Sequence, residues 1–186
     1  MKAKPTDHPG GVTLELDRED EPLMEAATRA AMKSPFIVKR ILVPIDFSEC
    51  SKKALQYGIA FAREHRAAIT LLHVVPALSG DGEYAAADCA QLEATLIDSG
   101  TRDLSKLASD AVPGGISADT EIRIGSPARV IIETARNLPA DLIVISTHGW
   151  TGLKHVFLGS VAGQVVQRAP CPVFVVRERE HEILAS

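Results

Sequence analysis

The chain has 186 residues and a formal net charge of −4 at pH 7, and 46% of its residues are hydrophobic. This length suits one domain with a sizeable core, whereas the acidic balance and an aromatic content of 4% argue against nucleic-acid binding. The three cysteines have no C-x-x-C spacing, which is typical of reduced thiols in a cytoplasmic protein. The sequence shows no signal-peptide pattern and no apolar run of about 18 residues, so we expect no membrane segment.

Residues 1–34 differ in composition from the rest of the chain, because seven acidic residues are interspersed with prolines and with Gly10–Gly11. This composition predicts a mobile extension; a docking arm that covers a neighbouring surface is the alternative. Apolar residues between positions 23 and 33 have the spacing of one or two helical turns. The predicted domain then spans residues 35–178, and residues 179–186 form a carboxyl-terminal tail.

Strand and helix patterns alternate from the start of this domain. The β-branched segment at residues 37–45 predicts a strand, and Ser48 is the predicted N-cap of a helix that ends near Arg66. The nearly all-apolar run at residues 68–75 is typical of a strand that is covered on both faces. The next segment predicts a long helix, whose apolar face consists of Cys89, Leu92, Leu96, Gly100, Leu104, Leu107 and Ala111.

The second half of the domain continues this alternation. Residues 117–124 alternate in polarity, as in an edge strand that is half exposed to water. Ser126 and Pro127 indicate the start of a helix that runs to about residue 138. The last three predicted elements are a strand, a helix and a strand, at residues 141–146, 159–168 and 173–177.

Five strands and four helices in strict alternation predict an α/β fold with an open parallel sheet and helices on both faces. Ligands of such folds lie outside the carboxyl ends of the strands, near the point at which the strand order reverses. Four segments that follow strands are therefore expected along one rim: Asp46, residues 74–76, Gly125–Ser126 and residues 146–149.

A glycine-bearing loop before the last helix carries the main functional signal. Gly149 and Gly152 follow an apolar strand, and Gly159–Ser160 then begins a helix, whose first amides are unpaired and lie at its positive dipole end. The sequence contains neither the G-x-x-x-x-G-K-[ST] phosphate loop nor the G-x-G-x-x-G dinucleotide fingerprint. The layout favours a nucleotide phosphate site; a flexible loop followed by a well-capped helix is the alternative.

Three segments resemble the universal stress protein family: VPIDFSE, LLHVVP and STHGWTGLKHVFLGSVAGQVVQRAPCPVFVV, within a similarity that covers about residues 36–177. The resemblance implies an adenine nucleotide alpha hydrolase-like sheet with strand order 3-2-1-4-5. It also implies the motif G-x2-G-x9-G-[ST], with which nucleotide-binding members of that family hold the phosphates of ATP. On this chain Gly149 and Gly159–Ser160 match the motif, whereas Ser146 occupies the first glycine position. Serine there would cost about 1–2 kcal/mol if the site required left-handed backbone geometry.

The same resemblance assigns roles to several rim residues. Asp46 would accept hydrogen bonds from ribose hydroxyls or help to hold a metal ion, unless it caps the following helix. Val74 would offer its backbone to the adenine edge, unless it is a core residue. Asp46 and Ser160 are the candidate ligands of Mg²⁺. The expected nucleotide-binding residues are Pro44, Asp46, Val74, Ser146, His148, Gly149, Gly159 and Ser160.

Two histidines invite a catalytic interpretation. His148 lies in the glycine loop without a neighbouring nucleophile or a second catalytic group, so we expect it to contact phosphate or to support the loop. His73 lies within an apolar strand and is expected to be a buried, hydrogen-bonded residue.

Together these features predict a universal stress protein that binds ATP, with Mg²⁺, as a nucleotide-dependent regulator of stress adaptation. We expect no catalytic residues, and at most slow ATP hydrolysis or autophosphorylation. The resemblance and the apolar last strand also predict a homodimer that pairs through residues 173–176. Two alternatives stay open: an interaction module without nucleotide, which Ser146 favours, and an adenylate-forming enzyme, which the lack of glycine in residues 43–48 disfavours.

Overall fold

The computed structural model describes residues 2–5, 12–15, 37–78, 83–147 and 159–177. The chain divides into two units, Met1–Ile37 and Val38–Ser186. The helical turns expected between residues 23 and 33, the interior of the glycine loop and the carboxyl-terminal tail lie outside the described residues. Within the described part of the chain, no helix is long and apolar enough to cross a membrane.

The first unit contains an element that the sequence interpretation missed. Strand β1 (Lys2–Pro5) pairs antiparallel with strand β2 (Val12–Glu15), so that Lys2 lies opposite Glu15 and Pro5 opposite Val12. Strands of four residues carry little periodic signal, and the proline in β1 argues against a strand because it lacks a backbone N–H. The mobility expected of residues 1–34 stays a prediction.

The second unit is built on a five-stranded sheet in which every strand pairs in parallel with its neighbours. Its strands are β3 (Arg40–Pro44), β4 (Ala68–Val75), β5 (Ala118–Ile124), β6 (Leu142–Ser146) and β7 (Val173–Val176). Their order across the sheet is β5-β4-β3-β6-β7, which is 3-2-1-4-5 when only these five strands are numbered. The predicted fold class and strand order are therefore confirmed.

The described helices of this unit are α1 (Glu49–His65), α2 (Glu83–Ala111), α3 (Pro127–Asn137) and α4 (Ser160–Arg168). The predicted N-cap of α1 is confirmed, since the Oγ of Ser48 accepts a hydrogen bond from the Ser51 N–H at 3.2 Å. The helix ends at Arg66, which adopts a left-handed conformation with a φ of 55°. As expected, α3 begins directly after Ser126, and α4 begins directly after Gly159.

Alternate residues of the central strand β3 face opposite sides of the sheet and belong to two separate cores. Ile41 packs in one core with Leu55 of α1 and with Leu104 of α2. Leu42 packs in the other core with residues of α3 and α4, including Val165. Each fully buried aliphatic side chain contributes about 1.5–3 kcal/mol of hydrophobic free energy. The helices therefore cover both faces of the sheet, as the alternation of elements predicts.

The long helix α2 differs from the sequence expectation along its first half. Its expected apolar face is buried at Gly100 and Leu104, but Leu92 and Leu96 are 51% and 37% exposed. The physical reason is length, since 29 helical residues span about 43 Å whereas the eight residues of β4 span about 26 Å. A crossover helix runs antiparallel to the strands, so the first turns of α2 extend past the carboxyl edge of the sheet.

Candidate functional site

The strand order reverses between β3 and β6, which are neighbours in the sheet but not in the chain. Ligands of open parallel sheets bind at such a point, outside the carboxyl ends of the strands. Pro44 is the buried last residue of β3 and Asp46 follows it closely, while Ser146 is the last residue of β6. These three predicted site residues therefore lie along the same edge of the sheet, as expected.

The paired residues of β3 and β6 end before this edge, and the unpaired stretch beyond them is called the opening below. The paired residues of the two strands end at Leu42 and Ile143, whereas β6 stays paired with β7 up to Ser146 and Val176. The Ile143 N–H donates to the Pro172 carbonyl at 3.0 Å, on the β7 side. Because backbone groups alternate in direction along a strand, those of Ser146 point towards β3. The opening thus has the backbone of Ser146 on one side and the segment after β3 on the other.

The serine at the first glycine position of the motif causes no backbone strain. Ser146 lies in an extended strand, and the described non-glycine residues with a positive φ are Phe47 and Arg66. A side chain is therefore accommodated at Ser146 without the left-handed geometry that favours glycine. This geometry removes the strain argument against a nucleotide site.

Asp46 is half-buried, and the next turn of the chain holds its carboxylate. Its Oδ1 accepts hydrogen bonds from the Ser48 hydroxyl at 2.6 Å and from the Ser48 N–H at 3.1 Å. Aspartate side chains commonly bond the backbone two residues further on. Because Ser48 is itself the N-cap of α1, Asp46 supports the start of the helix indirectly. These bonds fix the direction of a carboxylate at the point where the sheet opens.

His73 of β4 contacts both neighbours of Asp46 in the chain. The Ile45 carbonyl lies 2.8 Å from His73 Nδ1, and the centroids of the Phe47 and His73 rings are 4.7 Å apart. Phe47 has a φ of 64°, a left-handed conformation that costs a non-glycine residue about 1–2 kcal/mol. The expectation that His73 is hydrogen-bonded is confirmed, and its side chain is half-buried rather than fully buried.

Val74 has its side chain in the core and its backbone at the rim. The side chain is half-buried and packs against the cluster that contains Leu72. The Leu72 carbonyl accepts from the Ile45 N–H at 2.8 Å on the β3 side, and the Val75 carbonyl accepts from the Gly125 N–H at 2.9 Å on the β5 side. Because backbone direction alternates, the N–H and C=O of Val74 point towards β3, beyond the last residue of that strand. The two interpretations of Val74 are therefore compatible.

The start of α4 closes the base of the glycine loop. The Gly159 N–H donates to the Thr147 carbonyl at 2.9 Å, and the Thr147 N–H donates to the Val176 carbonyl at 2.8 Å. Gly159, at the N-cap of α4, makes no side-chain capping bond, and Ser160 is exposed. The first amides of α4 have no acceptor within the helix and lie at its positive dipole end, which suits an anion.

Gly159 has a φ of −58°, which any residue can adopt. The backbone conformation at this position therefore does not require glycine. His148 and Gly149 precede it in the predicted phosphate loop and lie outside the described residues.

The described residues contain no group of three or more His, Cys, Asp or Glu side chains that could hold a metal ion. Protein-bound Mg²⁺ commonly uses one or two carboxylates and completes its shell with water and substrate phosphates. Asp46 and Ser160, as single oxygen ligands, fit an ion that arrives with a nucleotide and do not form a dedicated protein cage.

Residues 38–177 match the model of the universal stress protein family. The chain belongs to this family. The universal stress protein MJ0531 of Methanocaldococcus jannaschii is 36% identical over 146 residues, which cover 78% of this chain and 86% of that protein. The structure of the universal stress protein UspA from Lactobacillus plantarum has a TM-score of 0.64 and 29% identity, covering 75% of this chain and 98% of that one. A universal stress protein solved in complex with cAMP shares the fold, with a TM-score of 0.57 and 24% identity over 75% of this chain and 97% of that one.

Sequence reasoning placed the rim residues of this family member but missed the contacts that organise them. The bond between Ile45 and His73 joins residues 28 positions apart and has no local sequence signal. The left-handed backbone of Phe47 also has no sequence signal, because glycine or asparagine usually occupies such a position. The bond between Asp46 and Ser48 does have a signal, since an aspartate two residues before an N-cap is a common turn.

Proposed function

We propose that this universal stress protein binds ATP, with Mg²⁺, where its sheet opens between β3 and β6, and that it is a cytoplasmic, nucleotide-dependent regulator of stress adaptation. The opening itself carries the proposal: Asp46 follows one strand, Ser146 ends the other, and α4 begins at the same edge with a glycine at its N-cap. The fold is able to hold an adenine nucleotide, since a universal stress protein of this fold was solved in complex with cAMP.

The nucleoside would lie across the ends of β3 and β4. Val74 directs its backbone N–H and C=O towards this place, where adenine offers both a donor and an acceptor along its edge. Asp46, whose carboxylate is oriented by Ser48, is placed to accept hydrogen bonds from the ribose hydroxyls. Pro44 helps to end β3 here, because it has no backbone N–H with which to continue the ladder.

The phosphates would lie at the start of α4. The Gly159 N–H is bonded to Thr147, so the donors to phosphate are the amides of the following turn, beginning with Ser160 and helped by its hydroxyl. The glycine loop contains no arginine, so backbone N–H groups, the helix dipole and Mg²⁺ would meet the phosphate charge. By the family motif, Gly149 completes this phosphate loop, and the adjacent His148 would contact phosphate or support the loop.

The proposed regulator is a homodimer that pairs through β7. This strand ends the described sheet, and its first three residues are apolar and half-buried. Phe174 is braced from α1 by Tyr57 and Phe61, whose ring centroids lie 5.5 and 5.1 Å from its own. An apolar edge strand invites pairing with a second copy. We expect Val175→Lys to shift the protein towards monomer in light scattering; a wild-type monomer at micromolar concentration would contradict the proposal.

Gly159→Val tests the phosphate site. Valine can adopt the backbone conformation of Gly159, so the new side chain should block the approach of phosphate without unfolding the helix. We expect the ATP affinity in calorimetric titration to fall at least tenfold, about 1.4 kcal/mol, and the adenosine affinity to change far less. Gly114→Val is the matched control, because a side chain there meets nothing within 4 Å. Unchanged ATP binding by Gly159→Val would refute the phosphate assignment.

A second candidate function is an interaction module that binds no nucleotide, and the exposed Leu92 and Leu96 on the overhanging half of α2 favour it. Nucleotide extracted from freshly purified protein and identified by mass discriminates between the two candidates. Wild-type protein that binds neither ATP nor adenosine at millimolar concentration would favour the interaction module. Neither candidate assigns a catalytic residue, and any ATP hydrolysis is expected to be slow.

A further inference from the structure

The end of strand β3 involves one side chain of its neighbour β4. The Ile45 N–H donates to the Leu72 carbonyl at 2.8 Å, as in a regular parallel ladder. The next bond of such a ladder would run from the Val74 N–H to the Ile45 carbonyl. His73 Nδ1 lies 2.8 Å from that carbonyl and occupies this acceptor. Because a carbonyl only accepts, Nδ1 carries the proton.

His73 also contacts the far side of the same segment. The ring of Phe47 packs against the His73 ring at a centroid distance of 4.7 Å, with the two planes tilted by 46°. This contact helps to offset the cost of the left-handed backbone at Phe47. Asp46 therefore lies between two neighbours that are both held by His73.

Helix α2 fixes the position of the His73 ring from behind. A Cβ atom at Gly100 would lie 3.0 Å from His73 Cδ2 and 3.3 Å from the Cδ1 of Ile122. The helix therefore approaches the ring as closely as a residue without a side chain allows. The ring is confined between α2 and the segment after β3, which makes it a rigid support for that segment.

We propose that His73 is a positioning residue for the nucleotide: through Ile45 and Phe47 it holds Asp46 where the carboxylate meets the ribose hydroxyls. This inference rests on the proposed function. Its consequence is selectivity, because a site built to bond a substrate hydroxyl discriminates against the analogue that lacks it. The site is then selective for ribonucleotides over 2′-deoxyribonucleotides, and the selectivity depends on a side chain that acts only through its neighbours.

Two substitutions separate the contacts of His73. His73→Phe keeps an aromatic ring beside Phe47 and removes the donor to Ile45, whereas His73→Asn keeps a donor near the position of Nδ1. Calorimetric titration with ATP and with dATP gives the selectivity as a ratio of affinities. We expect wild type to prefer ATP about tenfold, the factor associated with a hydrogen bond to a charged group. His73→Phe should lose most of this preference, and His73→Asn should keep it.

His65→Phe is the control, the same change at a histidine in the last turn of α1, and it should leave the ratio as in wild type. Equal losses of ATP and dATP affinity in His73→Phe would indicate a general structural role and overturn the inference, as would an unchanged ratio. Wild-type protein that binds neither nucleotide would overturn the proposed function, and this inference with it. Should His73→Phe not fold, His73→Leu removes the same donor to Ile45 with a smaller side chain and carries the same expectation of a lost ATP preference.

Discussion

Two aspartates near opposite ends of the same strand pair have different surroundings. At the amino edge, Asp141 Oδ2 accepts from the N–H groups of Lys39 and Arg40, at 2.8 and 2.9 Å, and so joins the start of β6 to the start of β3. At the carboxyl edge, Asp46 bonds Ser48 of its own segment, beyond the last paired residues of the two strands, Leu42 and Ile143. Asp141 thus joins the two strands at the amino edge, whereas Asp46 lies at the carboxyl edge, where their pairing has ended.

The amino edge has a further structural contact and a thiol that is not activated. Arg40 Nη1 donates to the Leu138 carbonyl at 3.0 Å, which adds a contact between β3 and the end of α3. Burial, and then the neighbouring Asp141, raise the pKa of the Cys171 thiol, so this thiol stays protonated and weakly nucleophilic at neutral pH. A carboxylate bonded across two strands stabilises the fold, whereas Asp46, which bonds Ser48 beyond the paired part of the strands, is the carboxylate that the proposed function assigns to a ligand.

Asp141→Ala should produce the largest effect, and it should fall on stability. The substitution removes the acceptor of two backbone N–H groups, which water can partly replace because the bonds are near the surface. We expect the free energy of unfolding to fall by about 2 kcal/mol and the melting temperature by roughly 4–8 °C in scanning calorimetry. The ATP affinity should stay within about twofold of wild type. A variant as stable as wild type would show that Asp141 does not stabilise the fold.

Asp46→Ala should have the opposite profile. We expect ATP and adenosine affinities in calorimetric titration to fall alike, by about tenfold or 1.4 kcal/mol, because the proposed partner of the carboxylate is the ribose. The free energy of unfolding should fall by no more than about 1 kcal/mol through loss of the two bonds to Ser48 at the start of α1. A loss of affinity for ATP alone would indicate that Asp46 contacts the phosphates or the metal ion and not the ribose.

Ser146→Gly should have the smallest effect. It tests whether the serine side chain at the end of β6 affects nucleotide binding. Ser146 is an extended strand residue, so the substitution should cost about 0.5–1 kcal/mol of stability through backbone entropy. The ATP affinity should be unchanged or slightly higher, because there is no left-handed strain to release. A gain of more than about tenfold would show that the serine side chain obstructs the nucleotide.

Most of the fold could be predicted because its signals are local. The apolar run Ala68–Val75 coincides with strand β4, and Ser48 starts α1 by capping it. Ser126 and Pro127 mark the start of α3 by their positions, although the Ser126 side chain makes no capping bond. The strand order is not local, and it came from the family resemblance. The first strand of the domain begins at Arg40 and not at residue 37, where Ile37 is 70% exposed, because strand limits depend on the neighbours that pair.

The candidate site could be predicted only as a set of positions. Loops that follow parallel strands emerge at one edge, which is why Asp46 and Ser146 were placed correctly. The support of Asp46 by His73 depends on where Gly100 lets α2 approach, and no local pattern records that. The periodicity of α2 likewise identified its apolar face, but it did not show that Leu92 lies on the exposed part of the helix, which extends past the edge of the sheet.

Thr147 connects two functions that the proposals assign to different parts of the chain. This residue is 3% exposed; its N–H reaches Val176 at the end of β7, and its carbonyl receives the N–H of Gly159 at the start of α4. Thr147 thus links the end of β7 to the start of α4 by two backbone hydrogen bonds, and we expect a displacement of β7 to reach α4 through it. Coupling free energies are reciprocal, so a partner paired with β7 and an anion at α4 would change each other's affinity by the same factor. Assembly state and ligand occupancy would then form one thermodynamic cycle, in which a measurement of either reports on the other.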